Sequence, residues 1–466
     1  MPITKVINTS LFERIGAFFN GHFKRNERKE FMRYQKIRGT ADFLPEETNK
    51  WQFVEHKIEN LLKKYYYQEI RMPIFEQFEL FARGVGETSD IVSKEMYEFY
   101  DRGDRHLALR PEGTAGVVRA YVQNKIYGPE HHKPVKYYYH GPMFRFERPQ
   151  SGRMRQFHQI GVEVYGSNNP AIDVETMLLA MEVFEDFGIQ DLSLVINSLG
   201  NTESRLEYRE ALIDYLTPHF DELSEDSQNR LHKNPLRVLD SKDRKDQKIV
   251  QDAPSVLDYL DEESVKHFDE VKEMLDLLKI PYEIDTNMVR GLDYYNDTIF
   301  EVITNDPNFG ANTTICAGGR YDQLVEEVGG PTTPGFGFAI GLERLVMLLE
   351  KADFEFPNLT ELDAFIVTIG DEVNNEALKL VTALRKNGLT VEREFVGRKP
   401  GSQFKTADKL NATTVFTLGS NELESQTVNM KHLGTGKEVA LDFEDIYGEN
   451  FQTIYKETLE KLASEE

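Results

Sequence analysis

The chain has 466 residues, and 79 acidic against 55 basic side chains leave a formal net charge of −24. That length holds two or three domains, and 40% hydrophobic with 29% charged residues excludes a disordered or fibrous chain. The acidity argues against a protein that coats DNA or lies on a membrane surface; a polyanion gripped by a local basic patch is not excluded.

The one cysteine, Cys316, allows no disulfide framework and no cysteine-based zinc site. Nothing approaches the roughly 18 uninterrupted apolar residues of a membrane span. Charges in Leu11-Phe12-Glu13-Arg14-Ile15 interrupt any signal-peptide core. The expected location is cytoplasmic, with no membrane and no DNA partner.

Residues 1–31 are expected to be an N-terminal extension: a solvated arm, or sequence ahead of a start at Met32. Globular sequence begins near Arg38-Gly39-Thr40-Ala41-Asp42. Apolar residues at Trp51, Val54, Ile58, Leu61 and Leu62 then predict a helix starting near Glu47 or Thr48. Residues 69–75 predict a short strand whose Pro73 suits an edge or an interface. Residues 135–147 and 155–165 predict an antiparallel hairpin around the turn-forming cluster 148–153.

The second hairpin strand has informative parity. Ile160, Val162 and Val164, with His158, share an apolar face. Gln159 and Glu163 share the opposite face, with Gly161 between them, which predicts a binding floor that a ligand approaches at the glycine.

Residues 203–278 read as a charged helical insertion broken by Pro235 and Pro254. Strands return within 282–303 and 313–317. A glycine-rich strand, 334–341, runs into a helix over 342–349. Residues 351–360, with Pro357, are the expected linker. Beyond them, strands alternating with helices over 361–466 predict a small α/β domain with a largely parallel sheet.

The glycine-rich strand lacks the Gly-Lys-Ser/Thr ending of a P-loop and the later acid of a dinucleotide fold. Close packing is the plainer reading of its glycines. The arginines are more telling. Arg145, Arg148, Arg153 and Arg155 sit within eleven residues against one acid, Glu147; Arg110 precedes Pro111-Glu112-Gly113-Thr114, Arg290 opens Arg290-Gly291-Leu292-Asp293-Tyr294-Tyr295, and Arg344 stands one turn into the helix after the glycine-rich strand. Forked guanidinium donors suit phosphates and carboxylates. The histidines His131, His132, His140 and His158 lack ligand spacing, so no zinc is expected. Cys316 reads as a small core residue.

Seven blocks, in order, resemble the histidyl-tRNA synthetases, a family of class II aminoacyl-tRNA synthetases. They are 38–42, Arg110-Pro111-Glu112-Gly113-Thr114, 141–150, 155–163, Arg290-Gly291-Leu292-Asp293-Tyr294-Tyr295, 318–322 and 337–344. The 290–295 block is the most family-specific, and Glu112-Gly113-Thr114 resembles the bacterial form. The resemblance implies an α+β fold: a class II antiparallel sheet flanked by helices over 32–350, the helical insertion, and a C-terminal α/β anticodon-binding domain.

It further implies ATP-dependent attachment of L-histidine to tRNA(His) through a histidyl-adenylate. Arg145, Arg290 and Arg344 would be the catalytic and ATP-binding cations. Arg145 would hold the α-phosphate and the substrate carboxylate, Arg290 the α-phosphate from the other side, and Arg344 the γ-phosphate. Glu112 and Thr114 would bind the α-ammonium, with Gly113 between them in the histidine site. Glu163, Gln159, Tyr294 and Tyr295 would surround the imidazole, which needs both a donor and an acceptor. Arg148 and Gln150 would meet the tRNA acceptor end. Mg²⁺ would accompany ATP, and a homodimer would form through the strand near Pro73. The alternative is a non-catalytic synthetase-like regulatory subunit of histidine biosynthesis. Such paralogues lack the anticodon domain and degrade the arginine and tyrosine blocks, all of which stand here.

Overall fold

The computed structural model describes residues 34–464 apart from 87–88, 90, 150–151, 191, 306–312 and 360; the expected extension over 1–31, and Gln150, lie outside the described residues. The chain divides into two compact units. One takes in the residues up to Asp42, Gln68–Glu182 and Gln190–Arg344. The other takes in Phe43–Tyr67, Val183–Ile189 and the residues from Leu345 onward.

Among the described residues of the first unit, eight strands build one sheet: β1 (Gln68–Glu69), β2 (Val135–Phe144), β3 (Gln156–Tyr165), β4 (Leu192–Ser198), β5 (Tyr282–Ile284), β6 (Asn296–Thr304), β7 (Thr313–Arg320) and β8 (Gly335–Gly341). Their order is β1-β2-β3-β8-β7-β6-β4-β5. Every interior pairing is antiparallel, and the two edge strands pair in parallel. The expected antiparallel sheet with flanking helices is therefore present, with parallel strands added at its margins.

The predicted strand over 69–75 divides. Gln68–Glu69 joins the edge of this sheet, while Phe75–Gln77 joins a separate three-stranded sheet. Pro73 lies between them, where its missing N–H costs no ladder bond. The predicted hairpin is β2 and β3, in register Tyr137↔Glu163, Tyr139↔Gly161 and Gly141↔Gln159. Arg155 closes its open end: its backbone N–H donates to the Gly39 carbonyl at 2.7 Å, and its guanidinium lies 3.9 Å from the Phe146 ring centre.

The region 203–278 is helical: Thr202–Leu216, Glu225–Arg230, Leu236–Leu239 and Arg244–Val250 lie around an apolar core that includes Tyr208, Leu212, Leu216, Leu231 and Val238, and Glu262–Leu277 buries Phe268, Val271 and Leu275 apart from it. Asn201, Ser224, Asp243 and Asp261 cap four of these helices by accepting from N–H groups of the first turn. Pro235 stands at the cap of its short helix and Pro254 between helices. Asp246 is fully buried and accepts from the hydroxyls of Ser224, Ser227 and Ser241. That satisfies a carboxylate which would otherwise be costly inside an apolar core.

In the second unit the helix Pro45–Lys64 buries Trp51, Val54, Ile58, Leu61 and Leu62. It begins two to three residues before the expected start, because proline suits a first helical turn whose N–H groups lack partners. Its Phe53 meets Phe187, Phe354 and Phe356 edge-on or tilted, with ring centres about 6 Å apart. The sheet of this unit holds β9 (Leu362–Thr368), β10 (Val391–Arg393), β11 (Ala412–Leu418), β12 (Thr427–His432) and β13 (Glu438–Asp442), in the order β10-β9-β11-β12-β13. The first three strands are parallel and the last two antiparallel. Thus the sheet is mixed where a largely parallel one was predicted: the chain after β11 returns by a short helix, Ser420–Ser425, and a hairpin instead of another crossover. Along β9, Ala364 and Ile366 enter one apolar cluster while Phe365 and Val367 enter another. Both faces are filled, as a parallel strand requires.

Candidate active site

A cleft of about 470 Å³ opens on the first unit, and its walls gather most of the residues singled out in the sequence: Glu112, Thr114, Arg145, Gln159, Arg290, Tyr294, Tyr295 and Arg344. They come from five segments far apart in the chain. The hairpin β2–β3 supplies Gln159 and, just beyond β2, Arg145. The loop between β5 and β6 supplies Arg290, Tyr294 and Tyr295. The turn from β8 into the helix Leu342–Lys351 supplies Arg344.

The arginines hold fixed poses. Arg145 donates from Nε to the Pro111 carbonyl at 2.9 Å and lies 5.2 Å from the Phe157 ring centre. Arg344 donates from Nη1 to the Thr314 carbonyl at 2.7 Å. Arg290 pairs with Glu301, which also accepts from the Thr314 hydroxyl at 2.6 Å. Burial pushes the guanidinium pKa of Arg145 and Arg344 down from the ordinary value. A guanidinium keeps its proton in a protein, so these two sites are cations short of solvation. Among the described residues neither forms a salt bridge, which leaves both suited to an incoming anion.

The other end of the cleft is rich in carboxyl groups. Glu112 accepts from the backbone N–H groups of Thr114 at 2.6 Å and Ala115 at 2.9 Å, and so begins the helix Thr114–Gln123. Glu163 accepts from the Thr114 hydroxyl at 2.7 Å and from the Tyr321 hydroxyl. It is 1% exposed, and burial, which disfavours the charged form, raises its carboxyl to about 8. Burial raises Glu112 as well. Two neighbouring carboxyls held against ionisation make a site that a cation stabilises. Beside them the Gln159 carbonyl oxygen is buried without a hydrogen-bond partner. Tyr294 and Tyr295, both buried, stand with ring centres 4.7 Å apart. The cleft thus joins a cation-seeking end to an anion-seeking end, and Arg145, whose charge favours ionised Glu112, belongs to both.

Gly161 does not admit a ligand, as its place on the strand suggested. A Cβ there would lie 2.4 Å from the Tyr139 ring, and one at Gly113 would lie 2.2 Å from the same ring. The two glycines make room for Tyr139, whose ring lies across the floor between them. Gly337 does the same for Glu163, whose carboxylate would stand 2.1 Å from an added Cβ. Gly335 likewise makes room for the Tyr321 ring, while Gly341 has open space beside it and lines the cleft.

Glu163 lies behind the cleft wall, covered by Thr114 and Tyr321. Arg148 is exposed and off the wall, and Gln150 lies outside the described residues. Arg110 is buried and ties the hairpin down, donating to the carbonyls of Pro142 and Met72. His158 is bound by Glu343, which accepts from its backbone N–H at 2.9 Å. Burial pushes the Cys316 thiol up, away from reactivity. Sequence reasoning missed Glu301, Thr314, Tyr139, Glu343 and Arg237 on the wall, and Tyr321 behind it. Glu301 alone left a signal, as a carboxylate inside the apolar run Ile299-Phe300-Glu301-Val302-Ile303.

Comparison with known proteins gives a consistent result. The histidyl-tRNA synthetase family model matches residues 39–345, and an anticodon binding domain model matches residues 363–449. The chain is 57% identical to the histidine--tRNA ligase of Limosilactobacillus fermentum over 431 residues, 92% of this chain and all of that protein. It is 57% identical over 430 residues to the Streptococcus thermophilus protein of the same name, again over 92% of this chain and all of the relative. The crystal structure of apo S. aureus histidyl-tRNA synthetase is similar with a TM-score of 0.76 at 41% identity, covering 91% of this chain and all of that one.

Proposed function

The chain belongs to the histidyl-tRNA synthetase family, and from that premise we propose that one cleft carries both steps of its reaction, the ATP-dependent attachment of L-histidine to tRNA. In the first step the histidine carboxylate attacks the α-phosphorus of ATP, the bond to the β-phosphate breaks, and pyrophosphate leaves. In the second, a hydroxyl of the 3′-terminal adenosine attacks the acyl carbon and AMP leaves. Both steps need reactants held in line and negative charge countered as it develops.

In this assignment Arg145 bridges the substrate carboxylate and the α-phosphate, Arg290 faces the α-phosphate from the opposite side, and Arg344 takes the γ-phosphate. Glu112 and Thr114 receive the α-ammonium of histidine, with Gly113 between them in the histidine site. Glu163 accepts from one ring N–H, with Gln159, Tyr294 and Tyr295 around the rest of the imidazole. The observation that supports it best is the meeting of Arg145, Arg290 and Arg344 in one cleft with a carboxyl-lined end. Such a polar site rejects apolar isosteres of histidine by roughly 10⁴–10⁵ without editing.

Mg²⁺ is proposed to enter with ATP, held by the nucleotide's outer phosphates. Among the described residues no group of three His, Cys, Asp or Glu side chains converges as a metal site. Residues 32–350 are taken as the catalytic domain, 203–278 as an insertion against tRNA, 351–360 as a linker and 361–466 as the anticodon-binding domain, with 1–31 an extension. Arg148 and Gln150 are assigned to the acceptor end of tRNA(His), and the segment around Pro73 to a homodimer interface. No described helix is long and apolar enough to cross a membrane; a cytoplasmic site of action suits the role in translation.

Histidine-dependent ATP–pyrophosphate exchange, run against each of the other amino acids, tests the assignment. Exchange with histidine alone is expected. Stronger exchange with another amino acid would overturn the specificity, and none at all would favour a regulatory subunit without catalysis.

A further inference from the structure

The helical insertion holds the loop that carries Arg290, Tyr294 and Tyr295. Arg237, from the short helix Leu236–Leu239, donates from Nη1 to the backbone carbonyl of Arg290 at 3.3 Å. Asn234 donates from Nδ2 to the Asp293 carboxylate at 3.0 Å. Arg205 donates to the Tyr295 carbonyl at 2.8 Å and the Asp293 carbonyl at 3.3 Å. Val289, next to Arg290, is buried in the insertion's own apolar core. On the loop's other side, the Asp293 N–H donates to the Val85 carbonyl at 3.1 Å. The loop has little regular structure of its own, so these contacts decide where it sits.

Of the three insertion side chains that donate to the loop, Arg237 also stands on the cleft wall, together with Asp240, its ion-pair partner at 3.4 Å. At its head Arg290 is held by Glu301 and at its backbone by Arg237. The side chain is thus anchored at both ends, while its Nε stays buried without a hydrogen-bond partner. Removing the backbone tether frees the loop to shift by a fraction of an ångström, which is enough to spoil an in-line geometry.

We infer that Arg237 is a positioning residue for the adenylation step: it aims Arg290 by holding its carbonyl, and so makes the helical insertion part of the active site. The inference rests on the assignment of Arg290 to the α-phosphate. The test is a double-mutant cycle in the full chain, with Arg237→Ala, Arg290→Ala and the double variant. Adenylate formation is measured in single turnovers and by exchange, alongside thermal unfolding.

Arg237→Ala is expected to lower kcat roughly 10- to 100-fold, leave the KM for ATP within about threefold, and keep the unfolding temperature. Arg237→Lys, which keeps a donor near the carbonyl, recovers part of the loss. The double variant is no slower than Arg290→Ala, since a tether matters only through what it holds. Multiplying losses, or an ATP KM that rises while kcat holds, would place Arg237 on the nucleotide itself and overturn the inference. A lowered unfolding temperature without rescue by lysine would reduce it to a fold contact. Full activity in Arg290→Ala would sink the assignment of Arg290 and the inference with it. Collapse of Arg290→Ala beside an unimpaired Arg237→Ala would sink the inference alone.

Discussion

Gln159 and Gln403 are two amides inside one chain, and they are used in opposite ways. Gln403, in the second unit, accepts from the Thr368 N–H at 2.8 Å and donates to the carbonyls of Thr368 at 2.9 Å and Arg398 at 2.8 Å. Gln159, on the cleft wall, keeps its carbonyl oxygen buried and without a partner. The contrast extends to their surroundings. Buried Arg393 in the second unit is satisfied by Asn374 and by the Glu394 carbonyl, whereas Arg145 and Arg344 are held by one carbonyl each. A buried polar group that is fully bonded specifies a fold. One left short of partners carries a cost that a ligand removes, and the Gln159 carbonyl oxygen and the Arg290 Nε are two such groups on the cleft wall.

Several measurements test that contrast. The largest effect is expected at Arg145: Arg145→Ala should lower histidine-dependent exchange by about 10²–10³-fold with little change in unfolding temperature. A large loss of stability instead would place Arg145 with Arg393, as a fold group. Next comes Glu163→Gln, expected to raise the KM for histidine at least tenfold, or about 1.4 kcal/mol, while the KM for ATP stays nearly constant. Equal losses for both substrates would mean that Glu163 supports the floor without reading the ring.

The same carboxyl gives a pH signature. Its folded value, about 8, stands above the ordinary 4.5, so between those values the folded state binds the extra proton. Its contribution to stability is then fully present below about 4.5 and is lost as pH rises through 8. Glu163→Gln should flatten that part of the unfolding profile; an unchanged slope would assign it to other groups.

The glutamines themselves give the direct test. Gln403→Leu should cost about 1–3 kcal/mol of stability, because Thr368 loses partners for both backbone groups, and should leave kinetic constants alone. Gln159→Leu should hold or raise the unfolding temperature and weaken histidine binding. The opposite outcome would reverse the roles given to the two units. The smallest effect is expected from deleting residues 1–31, which should leave exchange within about twofold; a large drop would give the extension a function.

Much of this was legible in the residues. The hairpin, the helical insertion, the glycine-rich strand before its helix and the alternating C-terminal elements all appear where hydrophobic period and turn residues placed them. What escaped depends on partners distant in the chain. The segment around Pro73 divides between two sheets, and the C-terminal sheet is half antiparallel. Gly161 makes room for a neighbouring strand's tyrosine. Local pattern does not report any of these, since each is settled by what lies across the sheet.

The sequence alone carried the family, the order of elements and four charged groups of the cleft wall, Glu112, Arg145, Arg290 and Arg344, while Glu301, Glu343 and Arg237 escaped it. What it carried follows from residue type and spacing, which one strand or one helix turn expresses locally. Only the tertiary structure decided how those groups are held and what they lack. Glu301 against Arg290, Tyr139 between two glycines, the hydroxyls of Thr114 and Tyr321 on Glu163, and Arg237 on the Arg290 carbonyl are all contacts across folded space. Solvation, and with it the pKa of a buried carboxyl or the readiness of a guanidinium to take an anion, is a property of surroundings. Those surroundings exist only once the strands have been brought together.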